Sequence, residues 1–311
     1  MRFNDKILND IKEVRAKNEL KKQAIISQVE NDNELGPIYL ECKRLVFEIA
    51  KNKHNQMNTD KLEFQLSSLK KSLYEKMEAK GFDIEFLKNP YECSECKDKG
   101  RIGGKYCKCY YNRLSKYILE NSGLSVDKLP DLKNIKFDFL KDDTAIKLRT
   151  QLVKILQDFV KKSNENGKKT LLISGNVGVG KTYLMHGVVN EGIKQNKFVV
   201  YTTAFNLNKD FLKYHCAKLE EKDEILNNYI NCDILCIDDL GTENILKNVT
   251  CEYLFLIINE RLIRNKATII TTNLNLTQII DVYDERIYSR LKDKQSSIVV
   301  NLTGDDIRTM K

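Results

Sequence analysis

Two groups of residues in this chain could do chemistry. The first is GNVGVGKT, in which Gly175, Asn176, Val177, Gly178, Val179, Gly180, Lys181 and Thr182 follow the spacing G-x4-G-K-[ST]. Glycines so placed let backbone N–H groups wrap a polyphosphate. The lysine then reaches the terminal phosphates, and the threonine hydroxyl is a ligand for Mg²⁺. The second is CSECKDKGRIGGKYCKC, in which Cys93, Cys96, Cys107 and Cys109 pair as C-x2-C and C-x-C around Gly100, Gly103 and Gly104. Four thiolates can close the tetrahedral shell of one Zn²⁺, a structural centre with no position left for a catalytic water. An iron–sulfur cluster or free thiols remain as other readings of the same four residues.

Both groups need elements to hold them. GNVGVGKT follows an apolar run, TLLIS (170–174), and opens the helical stretch KTYLMHGVVNEGI, so the loop and Tyr183 lie where a strand ends and a helix begins. Four more apolar runs, FVVYTT (198–203), CDILCID (232–238), ATIITT (267–272) and SSIVVNL (296–302), alternate with helical segments, and a helix spans about 145–160. This alternation predicts an α/β fold with a mostly parallel five-stranded sheet covered on both faces. In ILCIDD the strand ends in two carboxylates. Asp238 suits Mg²⁺, directly or through water, and Asp239 suits the polarisation of an attacking water. DERIYSRLKD sets Arg286 and Arg290 four apart on one helix face, a spacing that is ordinarily just a solvated pair.

Ahead of the cysteines the chain reads as helical. Phe3, Ile7, Ile11 and Val14 recur at helical spacing, NDNELGP (31–37) breaks that helix, and a second runs from 38 to about 53. A third starts at Asp60, with Glu63 three residues on as in a capping box. It carries the seam Leu62, Leu66, Leu69, Leu73 and Met77 and stops at Gly81. The seam fits either a small helical domain with its own core or a surface for a partner. The expected division is a helical domain at 1–87, a zinc-binding four-cysteine element at 88–118, a linker at 119–144 and the α/β domain at 145–311.

Composition narrows the class. Of 311 residues 31% are charged, the net charge is +8, and the excess is spread along the chain, which permits nucleic-acid contact without arguing for it. No run is long and apolar enough for a membrane span, and MRFNDKILND has no apolar signal core. Nine cysteines, an odd number, do not suit a secreted disulfide scaffold, so a reduced cytoplasmic setting is expected. Lys97, Lys99, Lys105, Lys108 and Arg113 can offset the −2 charge of a Zn²⁺ tetrathiolate or form a nucleic-acid patch. Cys42, Cys216, Cys232, Cys236 and Cys251 read as small buried hydrophobes, and His54, His186 and His215 as ordinary packing or surface residues.

GNVGVGKT, ILCIDDLG, TIITTNL and ERIYSRL, in that order, resemble the AAA+ ATPases of the bacterial replicative helicase-loader group, the DnaC/DnaI type, over about residues 120–311. CSECKDKG…YCKC is similar to the cysteine-rich element of many Firmicutes loaders. The resemblance implies a P-loop AAA+ core without a separate lid domain, with ATP, Mg²⁺ and Zn²⁺ as cofactors. It makes Lys181, Thr182, Asp238, Asp239 and Asn273 the ATP-site residues. Arg290 becomes a finger acting on a neighbouring subunit, and Arg308 falls at the second-sensor position. It also implies helices at 1–82 that grip a hexameric helicase, delivery onto single-stranded DNA, and self-association through the ATPase domains. Ala204–His215, where Phe205, Phe211 and Tyr214 interleave with Lys209 and Lys213, suits either single-strand stacking or helix core. Two departures stand out: Asp-Asp replaces the usual Asp-Glu, so slow turnover is expected, and about nine residues follow the last strand, too few for a lid. The alternatives are a transposition helper ATPase of the IstB kind, which usually lacks a cysteine knuckle, and a nucleotide-dependent adaptor without turnover.

Overall fold

Apolar stripes at helical spacing make the first eighty residues helical, and the turns between helices are set by side chains rather than by breakers. In the computed structural model, which describes residues 3–137, 140, 142–304, 306 and 307, α1 is Phe3–Asn31, α2 is Leu35–His54 and α3 is Asp60–Ala79. The break at 31–37 is shorter than expected, because Gly36 and Pro37 lie in the first turn of α2. Proline fits there, since its missing N–H would have no partner inside the helix. Asp32 makes the turn instead: its Oδ1 accepts the N–H groups of Glu34 and Leu35, both at 2.9 Å. The capping box expected at the start of α3 does not form either. Thr59 is the N-cap, its hydroxyl donates to Glu63 Oε1 (2.9 Å), and Lys53 holds the same carboxylate at 2.8 Å.

The chain divides into two compact units, Met1–Tyr110 and Tyr111–Lys311. In the first, Val29, Leu35, Cys42, Leu73 and Met77 form a buried cluster, with Leu66 and Leu69 packed against it. The short α4 (Ile84–Lys88) follows. The cysteine segment contains a two-residue antiparallel hairpin, β1 (Arg101–Ile102) and β2 (Lys105–Tyr106). Ile7 and Ile11 of α1 are buried, and Leu8 and Ile11 close on Gly100 so tightly that a Cβ there would meet them at 3.1–3.2 Å. α5 covers Lys108–Asn121.

The second unit contains α6 (Asp143–Lys161), β3 (Thr170–Gly175), α7 (Lys181–Lys194), β4 (Val199–Thr203), α8 (Ala204–Cys216), α9 (Leu219–Asn231) and β5 (Ile234–Leu240). Then come α10 (Thr250–Ile263), β6 (Ala267–Thr272), α11 (Leu276–Val282), α12 (Glu285–Lys292) and β7 (Ser297–Leu302). The strands run in the order β4-β5-β6-β3-β7, and every neighbouring pair is parallel. Leu171, Ile173, Cys236 and Ile269 on one face and Leu172, Leu235, Ile237 and Ile270 on the other are fully buried, as in a sheet covered on both faces. No described helix is long and apolar enough to cross a membrane.

One open alternative is decided here and one expectation is corrected. Phe211 of α8 is 2% exposed and packs near Tyr253, so it is core and not a base-stacking ring, because α8 turns that face toward α10. Cys216, at the end of α8, is exposed, unlike the buried Cys42, Cys232 and Cys236.

Candidate nucleotide site and cysteine centre

The loop between β3 and α7 has the backbone that its glycines permit. Gly178 and Gly180 adopt φ values of +81° and +94°, and Gly180 is the N-cap of α7. A β-carbon disfavours that left-handed conformation, so glycine lets the loop curl tightly ahead of the helix N-terminus. Lys181 Nζ donates to the carbonyls of Gly175 (2.8 Å) and Asn176 (2.7 Å) and to Asn273 Oδ1 (2.6 Å). Two segments far apart in sequence, the loop after β3 and the end of β6, thus meet at one ammonium. A cavity of about 640 Å³ opens beside it, lined by the loop from Val177 to Tyr183 and by Asp239 and Asn273.

The two carboxylates of β5 part company at a bulge. Pairing with β6 slips between Ile237 and Leu240, and Asp239 takes φ +56°. A bulge adds a residue and re-aims its side chain, which is how consecutive aspartates serve different places. Asp239 lines the cavity, whereas Asp238 is 1% exposed beneath it. Asp238 accepts from Tyr201 Oη (3.0 Å) and from the Thr271 hydroxyl, and Thr271 Oγ1 accepts the Asp239 N–H at 2.9 Å. Burial beside this carboxylate pushes the Tyr201 phenol pKa well up, so the hydroxyl keeps its proton and goes on donating.

Arg290 lies on α12, outside the lining of this cavity. Its guanidinium stacks 4.6 Å above the Phe255 ring, and Nη2 donates to Asn259 Oδ1 at 3.3 Å. Its neighbour Arg286 is engaged with Glu252 and Asp284, which hold its pKa above the usual arginine range. Arg308 lies outside the described residues.

Several site residues carry no motif. His186 lines the cavity one turn after Thr182, with Nε2 3.4 Å from Tyr201 Oη, and burial lowers its pKa. The i, i+4 spacing from Thr182 is the sequence signal that would have found it. Ile135, Phe137 and Ile307 supply apolar wall, and Arg149 of α6 reaches the same cavity.

The cysteine centre lies wholly in the first unit. The four Sγ atoms of Cys93, Cys96, Cys107 and Cys109 all fall within 4.8 Å of one another. Cys93–Cys107 and Cys96–Cys109 are separated by 3.7 and 3.5 Å. Disulfides need about 2.05 Å, whereas a tetrahedral Zn²⁺ with Zn–S bonds of about 2.3 Å sets sulfurs about 3.8 Å apart. The Gly100 N–H donates to Cys96 Sγ (3.3 Å), and buried Asp98 accepts the N–H groups of Glu92 (3.0 Å) and Cys93 (2.8 Å). The donor set and its spacing fit zinc.

Residues 146–296 match the family model described as the bacterial DnaA ATPase domain. The chromosomal replication initiator protein DnaA of Campylobacter concisus (strain 13826) is 32% identical over 143 residues, 45% of this chain and 30% of that protein, so the chain spans under a third of that relative. The fold is similar to the crystal structure of DnaI (24% identity, TM-score 0.45, 58% of this chain and 91% of that one). It is also similar to the crystal structure of the DnaC helicase loader (23% identity, TM-score 0.43, 55% and 96%). Within the second unit residues 146–296 are thus similar to the ATPase domain of a replication initiator, and the loader type expected from the motifs is among the proteins this chain is similar to.

Proposed function

We propose that this chain is an ATP-dependent loader that delivers a hexameric replicative helicase to single-stranded DNA during DNA replication. One observation carries the reading: Lys181, Asn273 and Asp239 converge on a single cavity in a domain matching that of a replication initiator. Lys181 would hold the β- and γ-phosphates, Thr182 and Asp238 would hold Mg²⁺, and Asp239 would orient the attacking water, with Asn273 beside the terminal phosphate. Bound Mg²⁺ supplies neutralisation of the phosphate charge. Arg290, outside its own cavity and braced on Phe255, is suited to completing a neighbouring subunit's site.

The helical unit is the proposed grip on the helicase. Phe47 of α2 and Phe64 of α3 are 74% and 77% exposed, costly for large apolar rings unless a partner covers them. For single strands, α8 still offers Phe205, half exposed, with Lys209 Nζ 4.4 Å above its ring. A second reading, an adaptor that binds nucleotide without turning it over, draws on Asp239, a short carboxylate on left-handed backbone.

Mass photometry of the full chain with the host's hexameric replicative helicase, with and without ATP, tests the loader. A complex should form with the full chain and be lost with residues 111–311 alone. No complex under any nucleotide would leave the transposition helper, whose test is binding to duplex DNA. ATP hydrolysis indistinguishable between the wild type and Lys181→Ala would leave only the adaptor.

A further inference from the structure

Arg149 occupies the face of α6 that is otherwise apolar, buried together with Leu152, Leu156, Phe159 and Val160. It is 1% exposed and lines the same cavity as Lys181. Its own hydrogen bonds are weak: Nη1 to the Ala145 carbonyl and Nη2 to the Val179 carbonyl, both at 3.4 Å, while Nε has no partner among the described residues. Asp142, the carboxylate that acts on it through space, is exposed and committed to the N–H groups of Thr144 and Ala145.

A guanidinium does not shed its proton in a protein, and a buried charge without a counter-ion is costly. Among the described residues Arg149 has no ion pair, and the cavity it lines can supply the anion. Base edges and ribose hydroxyls are neutral and would leave the charge uncompensated, whereas phosphate oxygens give the strong charge-assisted bonds. The Val179 contact places the guanidinium against the loop whose sequence is built for phosphates. We infer that Arg149 is a further cation of the phosphate site, donating to the polyphosphate of the bound nucleotide in exchange for its long carbonyl bonds. The inference rests on the nucleotide reading of the cavity, and it adds a consequence: among the described residues the Arg149 charge has no ion-pair partner until nucleotide arrives.

Calorimetric titration of the full chain with Mg-ATP, Mg-ADP and adenosine, together with nucleotide-free melting curves, tests it on the wild type, Arg149→Met and Arg149→Gln. Both variants should bind ATP at least about tenfold more weakly, bind adenosine as the wild type does, and melt no lower than the wild type without nucleotide. ATP affinity within about twofold of wild type overturns the inference, and so does an equal loss for ATP and adenosine, which would mark a contact to the base. A variant that melts lower yet keeps its ATP affinity would show Arg149 to be only a brace for the loop. Should Arg149→Met fail to fold, Arg149→Gln, which keeps an amide donor for the Val179 carbonyl, decides by the same affinities. A wild type that binds neither ATP nor ADP would sink the nucleotide reading itself, and would do so before any substitution is compared.

Discussion

Thr271 shows how much of the site depends on a residue of TIITTNL to which the motif itself assigns no role. Its hydroxyl donates to the Asp238 carboxylate and accepts the Asp239 N–H, so one fully buried oxygen fixes both acidic residues of β5. Thr271→Val keeps the shape of the side chain and removes that oxygen, leaving a buried carboxylate and a backbone N–H each short of a partner. The expected cost is about 1–3 kcal/mol in urea unfolding. Hydrolysis should fall further than ATP affinity, because what is lost is the alignment of the two carboxylates proposed to act on Mg²⁺ and water. Thr271→Ser should restore most of both. Hydrolysis at the wild-type rate in Thr271→Val would show that the bulge alone aims Asp239.

At the scale of elements, the turn between α1 and α2 is an electrostatic joint. Asp32 caps α2 and also meets Lys80, just past the end of α3, at 2.8 Å. The Lys80 ammonium, helped by the Leu35 and Glu34 N–H groups, lowers the Asp32 pKa from its ordinary 3.8 to about 2. Because the folded value is the lower one, the stabilisation is present above the unfolded value and is lost as pH falls through about 2. A carboxyl-detected NMR titration should therefore find the Asp32 midpoint near 2. It should rise in Lys80→Ala, and an unmoved midpoint would assign the shift to the cap alone. Joints of this kind are what the sequence conceals. The strands and their parallel order were legible because five apolar runs alternate with helical stretches, and the phosphate loop because its spacing is tied to a strand and a helix. The break at 31–37 was overdrawn because Gly36 and Pro37 look like breakers, yet proline is tolerated in a first helical turn. Phe211 could not be told from Phe205, since alternating aromatics and lysines do not say which side of α8 meets α10. Arg149 was findable in principle: it interrupts the stripe Ala145, Leu152, Leu156, Phe159, and a charge at a core position asks for a reason.

For the whole molecule, the two units stand on different kinds of core. The second buries a five-stranded sheet under helices, with a large contiguous cluster running from Leu119 to Leu302. Among the described residues the first has a small helical cluster around Leu35 and Met77, and the N-terminal half of α1 closes on the cysteine knuckle where Leu8 and Ile11 meet Gly100. Small folds with little core commonly take part of their stability from a structural metal, whose binding energy then becomes folding energy. Zinc should therefore matter to one unit and not to the other. Elemental analysis of the natively purified chain should give one zinc per chain. A strong chelator should lower the melting of residues 1–110, read by hydrogen exchange along α1, while residues 111–311 keep their melting temperature and their nucleotide affinity. Cys107→Ser should do the same without chelator, since three thiolates cannot close the shell. If α1 keeps its protection after the metal is removed, the knuckle is an ornament on a helical unit that folds without it. If the second unit melts along with it, the two cores are not independent. Only selective loss of the first unit agrees with the way the apolar residues are divided between them.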